Sequence, residues 1–180
     1  MINTTMKNLT KLAAAAIVGV ALFMGTNANA QSDSKLRFGI GAEVGVPTGG
    51  VSDGSNIYAG ITPRLQYGAD EGLAWTLTSG FYNFFGKNYN VGNTTIKGSN
   101  LGVVPVKLGV KGFFADNFYF GAEAGAGFET AKNGTTKLIV SPGLGYANDK
   151  WDISARYENF SGKGDSYGLA GLRIAYGFGL

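Results

Sequence analysis

Beyond residue 30 the sequence predicts an all-β fold, eight antiparallel strands closed into an up-and-down β-barrel. Three observations carry this reading. Apolar residues recur at every second position in eight successive segments. The connections between segments alternate between short polar turns and longer loops. Every charged residue inside a segment falls on one face of it, and that face is also the Gly-rich one.

The first thirty residues are of another kind. Residues 1–11 are polar with Lys7 and Lys11, residues 12–24 form an unbroken apolar and small-residue run, and Ala28-Asn29-Ala30 puts small residues where a signal peptidase reads them. Thirteen residues of helix span roughly 20 Å, short of the roughly 30 Å hydrocarbon layer. The segment therefore reads as a cleaved secretory signal peptide, with cleavage after Ala30 and a single mature domain over residues 31–180.

The strands follow in order. Over 35–46, Leu36, Phe38, Ile40, Ala42, Val44 and Val46 oppose Lys35, Arg37, Gly39, Gly41, Glu43 and Gly45. Over 57–67 the apolar row ends on Leu65 and Tyr67 and faces Tyr58, Gly60, Thr62, Arg64 and Gln66. Over 73–82, Leu73, Trp75, Leu77 and Phe81 oppose Ala74, Thr76, Thr78, Gly80 and Tyr82. Segments 104–114 and 118–129 repeat the pattern, with Lys107, Lys111, Glu123 and Glu129 on the Gly-bearing side. So do 138–146 and 151–158, the latter setting Trp151, Ile153, Ala155 and Tyr157 against Asp152, Ser154, Arg156 and Glu158. The last segment, 167–180, sets Leu172, Ile174, Tyr176, Phe178 and Leu180 against Arg173, Ala175, Gly177 and Gly179. Pro63, Pro105 and Pro142 each remove a ladder donor and are expected to mark bulges.

Residues 69–72, 115–117 and 147–150 are short turns of hairpin-forming residues. The connections 48–56, 83–100, 130–137 and 159–166 are longer and rich in Gly, Asn, Ser and Lys. Short turns thus gather at one end with both termini, and long loops at the other.

The content of the two faces decides what surrounds the barrel. Lys35, Arg37, Glu43, Arg64, Lys107, Lys111, Glu123, Glu129, Asp152, Arg156, Glu158 and Arg173 all share the glycine face. Glycine is a poor solvent-facing strand residue, but it fits the concave side of a narrow ring, where small residues make room for long ones. The charged face is therefore expected inside, as an ion-paired structural network, and the apolar face against lipid. Tyr67, Trp75, Phe114, Phe118, Phe120, Tyr146, Trp151, Tyr176 and Phe178 lie on the apolar face near the short turns or the C-terminus, the position of an interfacial aromatic girdle. Phe81, Phe128 and Tyr157 supply a thinner belt at the loop end.

Composition narrows the chemistry. The chain has no Cys and no His, which excludes disulfides, thiolate or imidazole ligands and an imidazole base. Its +3 net charge falls to +1 once Lys7 and Lys11 leave with the signal peptide, so the balance gives no support to a nucleic-acid partner. There is no phosphate loop, metal cluster or nucleophile motif, and no cofactor is implied.

Segments such as Val104-Pro105-Val106-Lys107-Leu108-Gly109-Val110-Lys111, Tyr119-Phe120-Gly121-Ala122-Glu123-Ala124-Gly125, Ser141-Pro142-Gly143-Leu144-Gly145-Tyr146 and Ile153-Ser154-Ala155-Arg156-Tyr157 carry a family resemblance. The mature chain resembles the small eight-stranded outer-membrane barrels of Gram-negative bacteria, the OmpA/OmpX-type outer membrane protein β-barrel domain. That resemblance implies an outer-membrane location with periplasmic termini, and a last strand (Gly171, Leu172, Ile174, Tyr176, Phe178) read by the barrel-assembly machinery. Such strands usually end on an aromatic residue, whereas this one ends on Leu180.

Function is expected in the loops, without enzymatic activity. Residues 83–100 combine Phe84, Phe85, Lys87, Tyr89, Val91, Ile96 and Lys97, a mixture suited to a contact edge for a surface ligand. A narrow passive channel, a lipid-modifying outer-membrane enzyme and a soluble secreted lipid-binding barrel stand as alternatives. The enzyme alternative lacks the His that its resemblance would require. N-terminal sequencing of the protein from the membrane fraction should begin at Gln31; a start at Met1 would contradict the signal-peptide reading.

Overall fold

The structure is a computed structural model and describes residues 36–68, 72–91, 94–96, 98–164 and 166–179. The predicted signal peptide with Ala28 and Ala30, the strand residue Lys35, most of the 69–72 turn and the terminal Leu180 lie outside the described residues.

The strands are β1 (Leu36–Gly49), β2 (Ser55–Gly68), β3 (Leu73–Ser79), β4 (Phe81–Gly86), β5 (Tyr89–Val91), β6 (Thr94–Ile96), β7 (Leu101–Ala115), β8 (Phe118–Glu129), β9 (Thr136–Ala147), β10 (Trp151–Gly162) and β11 (Tyr167–Gly179). β3 and β4 are two lengths of one barrel stave. Around the ring the order is β1, β11, β10, β9, β8, β7, β3 with β4, then β2, which returns to β1, so the sheet closes as an eight-staved antiparallel barrel. Closure leaves no unpaired edge, the condition for a sheet to sit in lipid. β5 and β6 form a separate hairpin in the 83–100 connection.

The strands run further towards the loop end than the alternation indicates. β9 and β10 each reach 12 residues, and the long connections shrink to 50–54, 87–100, 130–135 and 163–166. The alternation fails there because the inner row turns apolar while the outer row turns polar on some staves: Val103, Ile139, Phe160 and Leu169 point inward and are fully buried, whereas Asn159 beside Phe160 is exposed. Period two is legible only while the inner face is polar.

The prolines do not mark bulges. The β2 ladder runs to Arg64↔Thr78 and resumes at Ile61↔Phe81, and the β7 ladder runs to Val106↔Ser79 and resumes at Val103↔Tyr82. Pro63 and Pro105 thus flank the break between β3 and β4 at Gly80, where no N–H is required of them, and the Ser79 hydroxyl donates to the Pro105 carbonyl at 3.0 Å. Pro142 falls in a similar gap between Arg156↔Gly143 and Asn159↔Val140. The register shifts are elsewhere, between Ser55 and Ile57 and between Phe113 and Ala115.

Outside, among the described residues, 26 large apolar side chains are exposed, a concentration of apolar surface that marks contact with lipid or a partner rather than with water. They face outward all round the ring, so a soluble calyx, which turns such residues into its cavity, is excluded. Phe38 departs from its row: it is buried, next to Leu65 and Phe178 in the ladders. On β7, Leu108 is 67% exposed while Lys107 beside it is fully buried. Leu108→Arg should therefore lower the stability of the lipid-inserted barrel by about 2–4 kcal/mol. Urea titration of the protein refolded into vesicles checks this; a loss under about 0.5 kcal/mol would mean that Leu108 does not face lipid.

Candidate functional site: a filled lumen

Parity sends one row of each stave into the barrel, and the structure sorts these inward residues by height. Near the loop end Tyr58, Tyr82, Phe84, Val103, Ile139, Phe160, Tyr167 and Leu169 form one buried apolar cluster. Phe160 and Tyr167 stack with ring centroids 4.8 Å apart, and Tyr167 meets Phe84 edge-on at 5.9 Å. Phe84, expected in the contact loop, is thus a lumen residue, because β4 continues to Gly86 and keeps its parity; Phe85, one position on, is exposed.

Beneath this cluster, nine of the charged residues named from the sequence converge. Arg64 Nη2 lies 2.5 Å from Glu123 Oε1 and Arg64 Nη1 lies 3.3 Å from Asp152 Oδ2. Lys107 binds Glu158 and also reaches Glu123 Oε2 at 3.1 Å. Arg156 Nη1 sits among three carboxylates, at 3.6 Å from Glu43, 3.2 Å from Glu123 and 3.4 Å from Glu158. Arg173 spans Glu43 at 3.7 Å and Asp152 at 3.6 Å, and Lys111 reaches Asp152 at 2.5 Å. The pairs share members, so all nine belong to one connected network of five cations and four anions. Buried charges persist only when paired and hydrogen-bonded in this way.

Three members of the sequence-derived set stand apart. Lys35 is outside the described residues. Arg37 is half-buried at the turn end, 3.8 Å from the exposed Asp149. Glu129 sits at the loop end and accepts hydrogen bonds from the backbone N–H and hydroxyl of Thr135, at 2.9 and 3.0 Å.

Neutral partners complete the network, and a charge census alone does not find them. Thr62 donates to Glu43 at 2.7 Å and accepts from Arg173 at 3.0 Å. Thr78 accepts from Arg64 and donates to Glu123, Gln66 accepts from Lys111, and Tyr119 donates to Asp152. All lie on the inward row, so parity was the available signal. Lys137 is a further inward residue, donating to the Lys163 carbonyl at 2.6 Å; it precedes the 138–146 segment legible in the sequence.

Glycine creates the room. A Cβ at Gly41 would come within 2.6 Å of the Arg173 guanidinium, and one at Gly145 would overlap the Tyr119 ring. Tyr82 lies against Gly60, Glu123 against Gly109 and Phe160 against Gly127 in the same way.

Outside the turn end, the predicted girdle residues stand on the outer rows. Tyr67 pairs across the ladder with Trp75, Trp151 packs edge-on against Tyr176 at 5.3 Å, and Tyr176 against Phe178 at 4.9 Å. Phe114 is the residue left over at the β7 register shift; its ring meets Phe120 at 4.6 Å and Phe118 at 6.4 Å. Tyr146 is half-buried beneath Phe118.

The sequence matches no protein-family model and no curated protein. Solved structures are similar in fold. Ail, the attachment invasion locus protein of Yersinia pestis, is 16% identical, with a TM-score of 0.50 over 82% of this chain and 100% of its own. The N-terminal β-barrel domain of Pseudomonas aeruginosa OprF is 13% identical, with a TM-score of 0.53 over 82% of this chain and 100% of that one. A de novo designed transmembrane β-barrel is 16% identical, with a TM-score of 0.50 over 82% of this chain and 98% of the design. Together with the closed ring and its apolar exterior, these likenesses define the class: an eight-stranded transmembrane β-barrel with the fold of small outer-membrane proteins.

Lys107→Met should lower stability by about 3–5 kcal/mol, because Glu158 and Glu123 keep their charges and lose a cation. The double variant Lys107→Met/Glu158→Gln should recover a substantial part of that loss. Urea titration of the folded barrel reads both, and strictly additive single losses would contradict the coupling.

Proposed function

We propose that the protein is a non-enzymatic integral outer-membrane protein whose barrel serves as a closed anchor, and whose role lies in structural support of the envelope or in contacts made by its loops. The observation that carries this reading is the lumen. An apolar plug near one mouth and a salt-bridged layer beneath it fill the lumen with buried side chains. An open pore needs a wetted interior, so the channel alternative has the filled lumen against it. The lipid-modifying alternative has the missing imidazole against it.

In this reading the short turns and both termini face the periplasm, the long loops face outward, and β11 carries the signal for the assembly machinery. Of the 83–100 connection, the part free of the barrel wall is the β5–β6 hairpin, paired through Tyr89↔Ile96, Asn90↔Thr95 and Val91↔Thr94. A two-stranded extension offers backbone hydrogen bonds to a partner strand and is the segment assigned to surface contacts.

Membrane fractions should hold the protein in detergent-extractable form, and the unheated band should migrate apart from the boiled one. Purified protein in a planar bilayer should show no reproducible conductance. Steady channel events would return the narrow-channel reading. Deleting residues 88–98 should leave heat modifiability intact and abolish any adhesion to host or neighbouring cells that the full chain confers; adhesion unchanged by the deletion would remove the hairpin from the account.

A further inference from the structure

Beyond that reading, we propose that the turn-end mouth of the lumen binds a small monocarboxylate, gripped by Gln66 and Lys111 with Arg37 at the rim. The first observation is a cavity of about 50 Å3, lined in part by Arg37, Gln66, Lys111, Phe113, Asp152 and Arg173. The exposed turn residues 148–150 form its outer edge, so it opens to the aqueous side at that end. Its volume is room for roughly three or four species of water's size, enough for a carboxylate head whose body leaves through the mouth.

The second observation is that side chains from staves all round the ring meet at this place. Lys111 Nζ lies 2.5 Å from Asp152 Oδ2 and donates to Gln66 Oε1 at 2.8 Å. Arg64 Nη1 and Arg173 Nη1 stand 3.3 and 3.6 Å from the same Asp152 oxygen, while Asp152 Oδ1 accepts from the Tyr119 hydroxyl at 2.7 Å. Arg37 is the ladder partner of Gln66 on the adjoining stave and lines the same cavity.

The third is an unused donor. An ammonium group can only donate, so Lys111 holds the Gln66 amide with its oxygen inward, and the amide NH2 on the same carbon is left with no protein partner among the described residues. The group that completes it is an acceptor, close enough to Lys111 for one carboxylate to meet both.

Charge selects the valence. The buried network holds five cations, Arg64, Lys107, Lys111, Arg156 and Arg173, against the four anions Glu43, Glu123, Asp152 and Glu158. The turn end carries the surplus: Asp152 is the one acidic partner of Lys111 among the described residues, and two arginines share it. Asp149, the other acidic residue at the mouth, is 95% exposed and 3.8 Å from Arg37. Water would satisfy Gln66 and leave the excess charge, a dianion would overshoot it, and a monoanion answers both demands. The ring of Phe113, 5.5 Å from that of Tyr119, adds an apolar wall for a short alkyl body, which favours a carboxylate over a halide.

The test uses the full mature barrel in lipid nanodiscs at constant ionic strength. On titration with propionate, the backbone amide resonances of Arg37, Gln66, Lys111 and residues 148–150 should shift and saturate together, whereas neutral propionamide should leave them in place. N-acetylalanine separates the sources: saturation by it as well assigns the site to the carboxylate ends of peptides, and saturation by propionate alone assigns it to free short-chain acids. Gln66→Glu puts a carboxylate into the site from the chain itself, so the variant should fold and its apparent affinity for propionate should fall by about tenfold or more. The wild-type contrast between propionate and propionamide stands as a readout even if this variant folds poorly. Shifts that never saturate, equal responses to the acid and the amide, phosphate binding as tight as propionate, or undiminished binding in a folded Gln66→Glu variant would each overturn the proposal.

Discussion

The constraint on which the rest depends is that lipid offers no hydrogen bonds to a backbone. A sheet in that solvent must satisfy every N–H and C=O within itself, so it closes into a ring, and closing the ring gives each stave one face to lipid and one to the interior. Leu108 and Lys107 are consecutive in sequence and live in opposite environments, one 67% exposed on the outside and the other fully enclosed. No helix of the described chain is long and apolar enough to cross a membrane; the crossing is made by strands.

Eight staves make a narrow interior, and this chain fills it in two different ways. Towards the loops the filling is aromatic and aliphatic, around Tyr58, Phe84, Phe160 and Leu169. Lower down it is ionic, with Arg156 and Glu123 at the centre of shared salt bridges. Long side chains fit because glycine stands opposite them, as at Gly41 beneath Arg173 and Gly145 beside Tyr119. The same arrangement accounts for inward-row glycines such as Gly41, Gly60, Gly109 and Gly145.

Much of this was legible before any coordinates, wherever the two faces differ chemically. Strand number, closure and the inward placement of Glu43, Arg64, Lys107, Lys111, Glu123, Asp152, Arg156, Glu158 and Arg173 follow from parity. The reading weakens where chemistry no longer separates the faces. At the loop end the inner row itself turns apolar, with Val103, Ile139, Phe160 and Leu169, so parity marks neither the strand ends nor the inward place of Phe84. Glu129 kept the inward parity, but it spends its carboxylate on Thr135 beyond the reach of the network. The prolines misled for another reason. A missing donor can be absorbed by a bulge or by a break in the neighbouring ladder, and Pro63 and Pro105 share one break at Gly80, a juxtaposition that only the register reveals.

Because the chain contains no cysteine, single cysteines placed at positions 104–110 along β7 report their surroundings without background. Spin labels at these sites, read in lipid nanodiscs with a membrane-soluble and a water-soluble relaxation agent, test the division of faces most directly. The predicted result is strict alternation, with 104, 106, 108 and 110 relaxed by the membrane-soluble agent and 105, 107 and 109 shielded from it. Loss of alternation, or the opposite parity, would contradict the assignment of the charged row to the interior and of the apolar row to lipid.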